Sequence, residues 1–165
     1  MKTLIATLFF FCLLPVTPTA SSAYIQVPYN NIRKIDHIRI NIDKQECVAK
    51  AVYFEARGEK DQGKYAVAHV VMNRAKLDKY NNDPCKVIHD SCQFSWRCDR
   101  KSDVPKDQEA WSESNLVAAA VMMGYNRDNT AGATYFHSRK TKPSWRKKFV
   151  RTATIGKHVF YRIKL

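Results

Sequence analysis

The chain has 165 residues, enough for one domain and too few for several. It carries 28 Lys+Arg against 15 Asp+Glu, a formal charge of +13. That balance favours an anionic partner (nucleic acid, an anionic membrane surface or a cell-wall polymer) without choosing among them, and the lack of internal repeats or low-complexity tracts excludes a repeat architecture.

The first stretch reads as a targeting segment. Lys2 gives a basic start, residues 4–16 are apolar apart from Thr7 and Pro15, and Ser21-Ser22-Ala23 fits a small-x-small cleavage site. Residues 1–23 are therefore expected to be a secretory signal peptide. The apolar run is short for a membrane span, so the mature protein is expected to be secreted or periplasmic, with no stable span. An uncleaved anchor is the alternative. Cys12 follows Phe11 rather than a small residue, which argues against a lipoprotein anchor. Residues 24–42 lack a clear period and are expected to form an extended lead-in to a catalytic domain over 43–165.

From there the helical period takes over. Asp43 is expected to cap a first helix, with Glu46 completing a capping box and Gly58 stopping it after Ala56. Asp61 is expected to open a second helix, running to about Lys76. Its apolar face, Tyr65, Ala68, Val71 and Met72, is widened by Val67 and Val70, which predicts burial. Residues 77–105 are polar and cysteine-bearing, with a short turn expected at 86–89. Asp103 or Asp107 should start a third helix ending at Gly124. Residues 133–137 read as a short strand, Pro143-Ser144-Trp145 as a bend, and 149–154 with 157–163 as a hairpin about Ile155-Gly156. Helices first and a small antiparallel sheet near the C-terminus make an α+β fold.

Loss of Cys12 with the signal leaves Cys47, Cys85, Cys92 and Cys98. An even count in a small secreted protein predicts disulfides, with three connectivities possible. Cys92 and Cys98 bracket a short loop and are expected to pair, which leaves Cys47 with Cys85. Zinc on Cys85, His89, Cys92 and Cys98 is the competing reading. The spacing matches no common zinc pattern and contains no CxxC, so neither metal nor other cofactor is expected.

One residue breaks the apolar pattern of the first helix. Cys47, Val48, Ala51 and Val52 form a stripe, and Glu55 lies three residues past Val52 and four past Ala51, on the same face. A carboxyl group against an apolar wall has a raised pKa, which a general acid needs. Spacing alone leaves open a helix-end glutamate paired with Arg57 or Lys60, or simply solvated.

Four segments then read together: AVYFEARGE at 51–59; AHVVMNR at 68–74; CQFSWRCD at 92–99; and ATYFH at 133–137, followed by Pro143-Ser144-Trp145 and IGKHVFY at 155–161. In this order and spacing they resemble the catalytic domain of the spore-cortex-lytic (SleB-like) cell wall hydrolases. The resemblance covers roughly residues 45–162. It implies a lysozyme/lytic-transglycosylase-like fold with a helical core. It also implies cleavage of the peptidoglycan glycan strand between N-acetylmuramic acid and N-acetylglucosamine, and Glu55 as the catalytic glutamate.

No second carboxylate is obvious. Glu59 lies past the helix-breaking Gly58 and reads as structural, and Asp99 is a weaker candidate. A lone acid suits a lytic transglycosylase, which leaves a 1,6-anhydromuramoyl end; lysozyme-like hydrolysis of the same bond is the alternative. Gln93 and Ser95 are expected to bind sugar hydroxyl or acetamido groups, or else to bond within their loop. Trp96 is expected to stack on a sugar face or to plug the core. Tyr135 and His137 share a strand face and are expected to line the groove. The resembling sequences carry His-Tyr-His where this chain has Tyr135-Phe136-His137, which weakens the carry-over at the first position. Trp145, Phe160, Tyr161, His69, Asn73 and His158 read as packing or structural residues. The partner expected is the peptidoglycan strand, met by a monomer and not involving nucleic acid. A secreted cationic binding protein without catalysis, or a basic nuclease, are the competing classes.

Overall fold

The computed structural model describes residues 41–164. The expected signal peptide, and all of the expected lead-in before residue 41, lie outside the described residues. Three long helices, one short one and a three-stranded sheet follow in chain order: α1 (Ile42–Ala56), α2 (Asp61–Ala75), α3 (Pro84–His89), α4 (Gln108–Met122), β1 (Tyr135–Ser138), β2 (Val150–Ile155) and β3 (His158–Arg162). The sheet is antiparallel in the order β1-β3-β2, with an irregularity in β2 between Arg151 and Ala153.

The helix starts depend on side-chain caps. Asn41, not Asp43, caps α1, its side chain accepting from the Lys44 amide. Asp43 instead lies in the first turn, where its charge complements the helix dipole. Lys60 precedes α2 without a side-chain cap, so the helix begins with Asp61 in its first turn rather than at the cap. Asp83 caps α3 with Pro84 in the first turn, and Asp107 caps α4 by accepting from Ala110. Gly124, at φ +76°, follows the end of α4, as a left-handed stop requires. At the end of α1 the chain turns at Arg57 and Gly58 without a left-handed glycine, and the Glu59 amide donates to the Ala56 carbonyl at 2.9 Å. Residues 77–105 hold more structure than expected: α3 and two single 3-10 turns, Asp78–Tyr80 and Ser95–Arg97. The first strand begins two residues later than its sequence suggests, because Ala133 is spent as a fully buried plug.

Helix α2 is the centre of the molecule. Val67, Ala68, Val71 and Ala75 pack into a cluster with Val48 and Val52 of α1, Val117 and Val121 of α4, and Phe94 and Trp96 of the loop. Its opposite face, Ala66 and Val70, meets Ala133 and Phe160 under the sheet. Burial on two sides is what its broad apolar face predicts, and each fully buried valine contributes on the order of 1.5 kcal/mol. Disulfides join Cys47 to Cys85, which ties α3 to α1, and Cys92 to Cys98, which closes the loop around the Ser95–Arg97 turn. All four cysteines of the described residues are thereby used.

One lock joins the helical layer to the hairpin. The Glu59 side chain is only 7% exposed and accepts from the Lys157 amide at 3.1 Å, with the Lys157 ammonium 3.9 Å away. Gly156 adopts φ +56°, and a Cβ there would collide with the Glu59 carboxylate. Gly156→Ala is expected to lower stability by about 1–3 kcal/mol, from the strained backbone and the displaced carboxylate together. Urea unfolding at constant m-value measures it; an unchanged midpoint would contradict this account of the turn.

Candidate active site

Glu55 stands on the last turn of α1, half-buried, between the helical cluster and the sheet. With Phe54, Arg57, Gly58, Glu59, Ser138, Lys157 and His158 it lines a cavity of about 250 Å³. Burial pushes its pKa above the ordinary glutamate value, and the Arg74 guanidinium pulls it part of the way back. The Trp96 indole also favours the charged form, although its N–H makes no full hydrogen bond. The site therefore holds a carboxyl group biased towards its protonated state and close to solvent, the condition for donating a proton.

Arg74 is the residue that the sequence reading missed. It sits on the last turn of α2, 6% exposed, with its guanidinium 5.4 Å from the Phe94 ring centre and 5.5 Å from that of Tyr135. Its Nε donates to the Thr134 carbonyl, and one terminal nitrogen, Nη1, is buried without a partner. Burial lowers its pKa, yet a guanidinium remains a cation. The signal was present: Arg74 lies four residues past Val70 and three past Val71, the same arithmetic that singles out Glu55.

The CQFSWRC loop delivers its residues differently from one another. Phe94 and Trp96 point inward, Gln93 and Ser95 outward. Gln93 borders a small gap shared with Arg74, Tyr80, Thr134 and Tyr135, so the structure does bring Gln93 and Tyr135 together. Ser95 is exposed at the start of the 3-10 turn. Trp96 is 8% exposed and stacked on Phe54 at 4.6 Å, which gives its ring face to a neighbouring side chain.

Tyr135 and His137 share a face of β1, as their spacing predicts, while Phe136 turns to the opposite core. Tyr135 stacks on Phe149 at 4.2 Å. His137 Nδ1 lies 2.8 Å from the Ser138 carbonyl, which can only accept, so Nδ1 carries a proton. His137 Nε2 lies 3.1 Å from the Tyr161 hydroxyl. Both ring nitrogens are thus committed within the sheet. Trp145 packs edge-on to His137 and Tyr161, completing an aromatic face.

Of the residues read as structural, His69 bonds Asn126, and Asn73 bonds Asp128 and the Ala133 carbonyl. His158 differs, because it reaches the Glu55 cavity; burial lowers its pKa, which favours the neutral ring. Glu59 also lines this cavity, but its carboxylate is held by Lys157. Asp99 is exposed on the loop, where it accepts from the Lys101 amide. No group of three His, Cys, Asp or Glu side chains suited to a metal exists among the described residues.

Three kinds of comparison agree with one another. The Cell Wall Hydrolase family profile matches residues 58–161, beginning just after Glu55. The spore cortex-lytic enzyme of Halalkalibacterium halodurans is 32% identical over 117 residues, 70% of this chain and 33% of that protein. The enzyme of the same name from Bacillus subtilis is 30% identical over 118 residues, 68% of this chain and 35% of that protein. The chain thus spans about a third of the length of these relatives. The crystal structure of the catalytic domain of the Bacillus cereus SleB protein superposes with a TM-score of 0.60 at 27% identity, covering 76% of this chain and 94% of that one. The catalytic domain of the germination-specific lytic transglycosylase SleB from Bacillus anthracis gives 0.61 at 27% identity, covering 74% and 97%.

The Glu55 geometry has a consequence for stability. Its pKa is higher in the folded protein than in the unfolded chain, so in the window between the two values the native state holds a proton that the unfolded state has released. Stability contributed by this group is full below the ordinary glutamate pKa and falls as pH rises through the raised value. Glu55→Gln has no such fall. The melting temperature of the variant relative to the parent is expected to climb across that window and to level off above it. A difference that does not vary with pH would contradict the raised pKa.

Proposed function

The chain belongs to the cell wall hydrolase family, and from that premise we propose that it cleaves the glycan strand of peptidoglycan with Glu55 as general acid and base. The observation that carries the reading is the half-buried Glu55 carboxyl, raised in pKa and lining an open cavity, on a fold shared with two SleB catalytic domains.

The bond proposed is the one between N-acetylmuramic acid and N-acetylglucosamine. Glu55 gives its proton to the leaving glycosidic oxygen as positive charge develops at C1 of the muramic acid residue. The 6-hydroxyl of the same sugar then attacks C1, and the Glu55 carboxylate accepts the hydroxyl proton. The products are a free 4-hydroxyl on one sugar and a 1,6-anhydro ring on the other, with the acid regenerated. Two features favour this route over hydrolysis: the Bacillus anthracis relative is a lytic transglycosylase, and Glu59 is engaged with Lys157, which keeps the neighbouring carboxylate from serving as a free base. Hydrolysis is the second reading, because Glu59 does line the same cavity and would need only to leave Lys157 to activate water.

Arg74 is proposed to position and tune the acid. Gln93, Ser95 and Tyr135 are proposed to contact sugar groups, and His137 to hold Tyr161 and the strand edge. Trp96 is proposed to wall the acid rather than to stack on a sugar. The envelope is the expected place of action, and no helix of the described residues is long and apolar enough to cross a membrane.

Two experiments test this. Mass spectrometry of fragments released from purified peptidoglycan is expected to find anhydro ends, and Glu55→Gln should lower their yield at least about a hundredfold. Reducing ends would select hydrolysis, and no fragments from correctly folded protein would overturn the enzymatic reading. The alkaline limb of the activity profile reports loss of the Glu55 proton. Because Arg74 favours the carboxylate, Arg74→Gln should move that limb to higher pH. A limb that moves down or stays fixed would remove Arg74 from the role given to it.

A further inference from the structure

All of the acidic residues of the chain precede Asn129; Asp128 is the last of them. The sheet and its connections are thus built without a single carboxylate side chain. The segment between β1 and β2 concentrates the cations: Arg139, Lys140, Lys142, Lys147 and Lys148, with Arg151 just inside β2, are all exposed. Among the described residues none of them forms an ion pair. Lys157, by contrast, lies near Glu59. Exposed like charges this close repel one another, so nothing in the fold rewards the arrangement.

The segment is nevertheless firmly held. The Arg139 amide donates to the Lys157 carbonyl at 2.7 Å, and the Thr141 amide to the Ser138 carbonyl at 2.9 Å. The Arg146 guanidinium turns back onto the Lys142 carbonyl at 2.9 Å. Trp145 and Phe149 pack against Tyr135 at 5.8 and 4.2 Å. Aromatic side chains pin the strap to the sheet while its ammonium groups stand in water. Its first residue follows Ser138, which lines the Glu55 cavity.

We propose that this strap is a binding site for the carboxylates of the peptide stems that hang from the glycan strand, gripping uncut polymer beside the Glu55 cavity. The inference rests on the peptidoglycan reading given above. A strand crossing the cavity at Ser138 would bring its pendant stems over the strap. The donor chemistry fits spaced single carboxylates better than phosphate. Four of the six cations are lysines, which act as point charges, whereas clustered phosphate favours bidentate arginine forks. Of the two arginines, Arg151 already spends one arm on Thr154.

The test is equilibrium binding of the whole protein to two forms of one polymer: intact peptidoglycan, and the same strands stripped of stems by an amidase. Lys140, Lys142, Lys147 and Lys148 are changed together to Gln, and in a second variant together to Arg, with melting temperatures matched to the parent. The Gln variant should lose about tenfold in affinity for stem-bearing strands and less than twofold for stripped ones. The Arg variant should bind both like the parent, and raising salt should erase the difference. Equal loss on both polymers, or no loss on either, overturns the proposal. So does a parent protein that prefers poly(glycerol phosphate) to stem-bearing strands and loses only that preference in the Gln variant. Fragment release is read separately: stem-dependent binding without cleavage would refute the enzymatic reading and leave the strap standing.

Discussion

A carboxyl group held partly out of water beside a buried guanidinium is the constraint around which the molecule is arranged. Glu55 needs the apolar surroundings that raise its pKa, and those surroundings come from Phe54 and Trp96 on the helical side and His158 on the sheet side. Arg74 opposes that shift, and it too is buried. Neither charge is placed where folding alone would put it. Each is tolerable because the other is near, and because Arg74 has the Thr134 carbonyl for one of its donors.

That hydrogen bond also explains why the two layers cannot be considered apart. Arg74 belongs to α2, and Thr134 immediately precedes β1. With the Glu59 to Lys157 contact and the packing of Ala66 and Val70 under Phe160, it makes three ties between helices and sheet. Two of the three lie next to Glu55 in space or in sequence. The cavity is therefore formed at a junction whose geometry is fixed by charge and by a left-handed glycine as much as by apolar contact. The buried, unpartnered Nη1 of Arg74 shows the cost: fitting the guanidinium between Phe94 and Tyr135 leaves a donor unsatisfied.

Much of this was legible in the residues, for identifiable reasons. Periodicity found three helices to within a residue or two, because their valines and alanines are buried at a 3.6-residue repeat. The caps were less legible: Asn41, Asp43, Lys60 and Asp61 stand within reach of the same helix starts, and which of them caps depends on backbone angles outside the helical pattern. Glu55 could be found because a charge on an apolar stripe is conspicuous. Arg74 obeys the same rule and was overlooked because a basic residue near a helix C-terminus already has a conventional explanation in the helix dipole. Trp96 and Phe54 show a further limit. Sequence can nominate an aromatic residue for a sugar platform, but it cannot say whether another ring has already taken the face.

The distribution of charge makes the last step of the synthesis. Among the described residues the acidic side chains lie on the helical layer and the loops around it, and the sheet side has none, so the field across the cavity is directional. Under the proposed function, a polyanionic strand would be drawn towards the sheet, with Glu55 on the helix facing it. The same field bears on the acid, because an excess of positive charge nearby favours the carboxylate and works against the desolvation that raises its pKa. In the function proposed, the cations must stand far enough from Glu55 to attract substrate without ionising the acid prematurely. Placing the lysines on a strap beyond Ser138, outward from the aromatic face, separates the two tasks, and leaves the tuning of the carboxyl to Arg74.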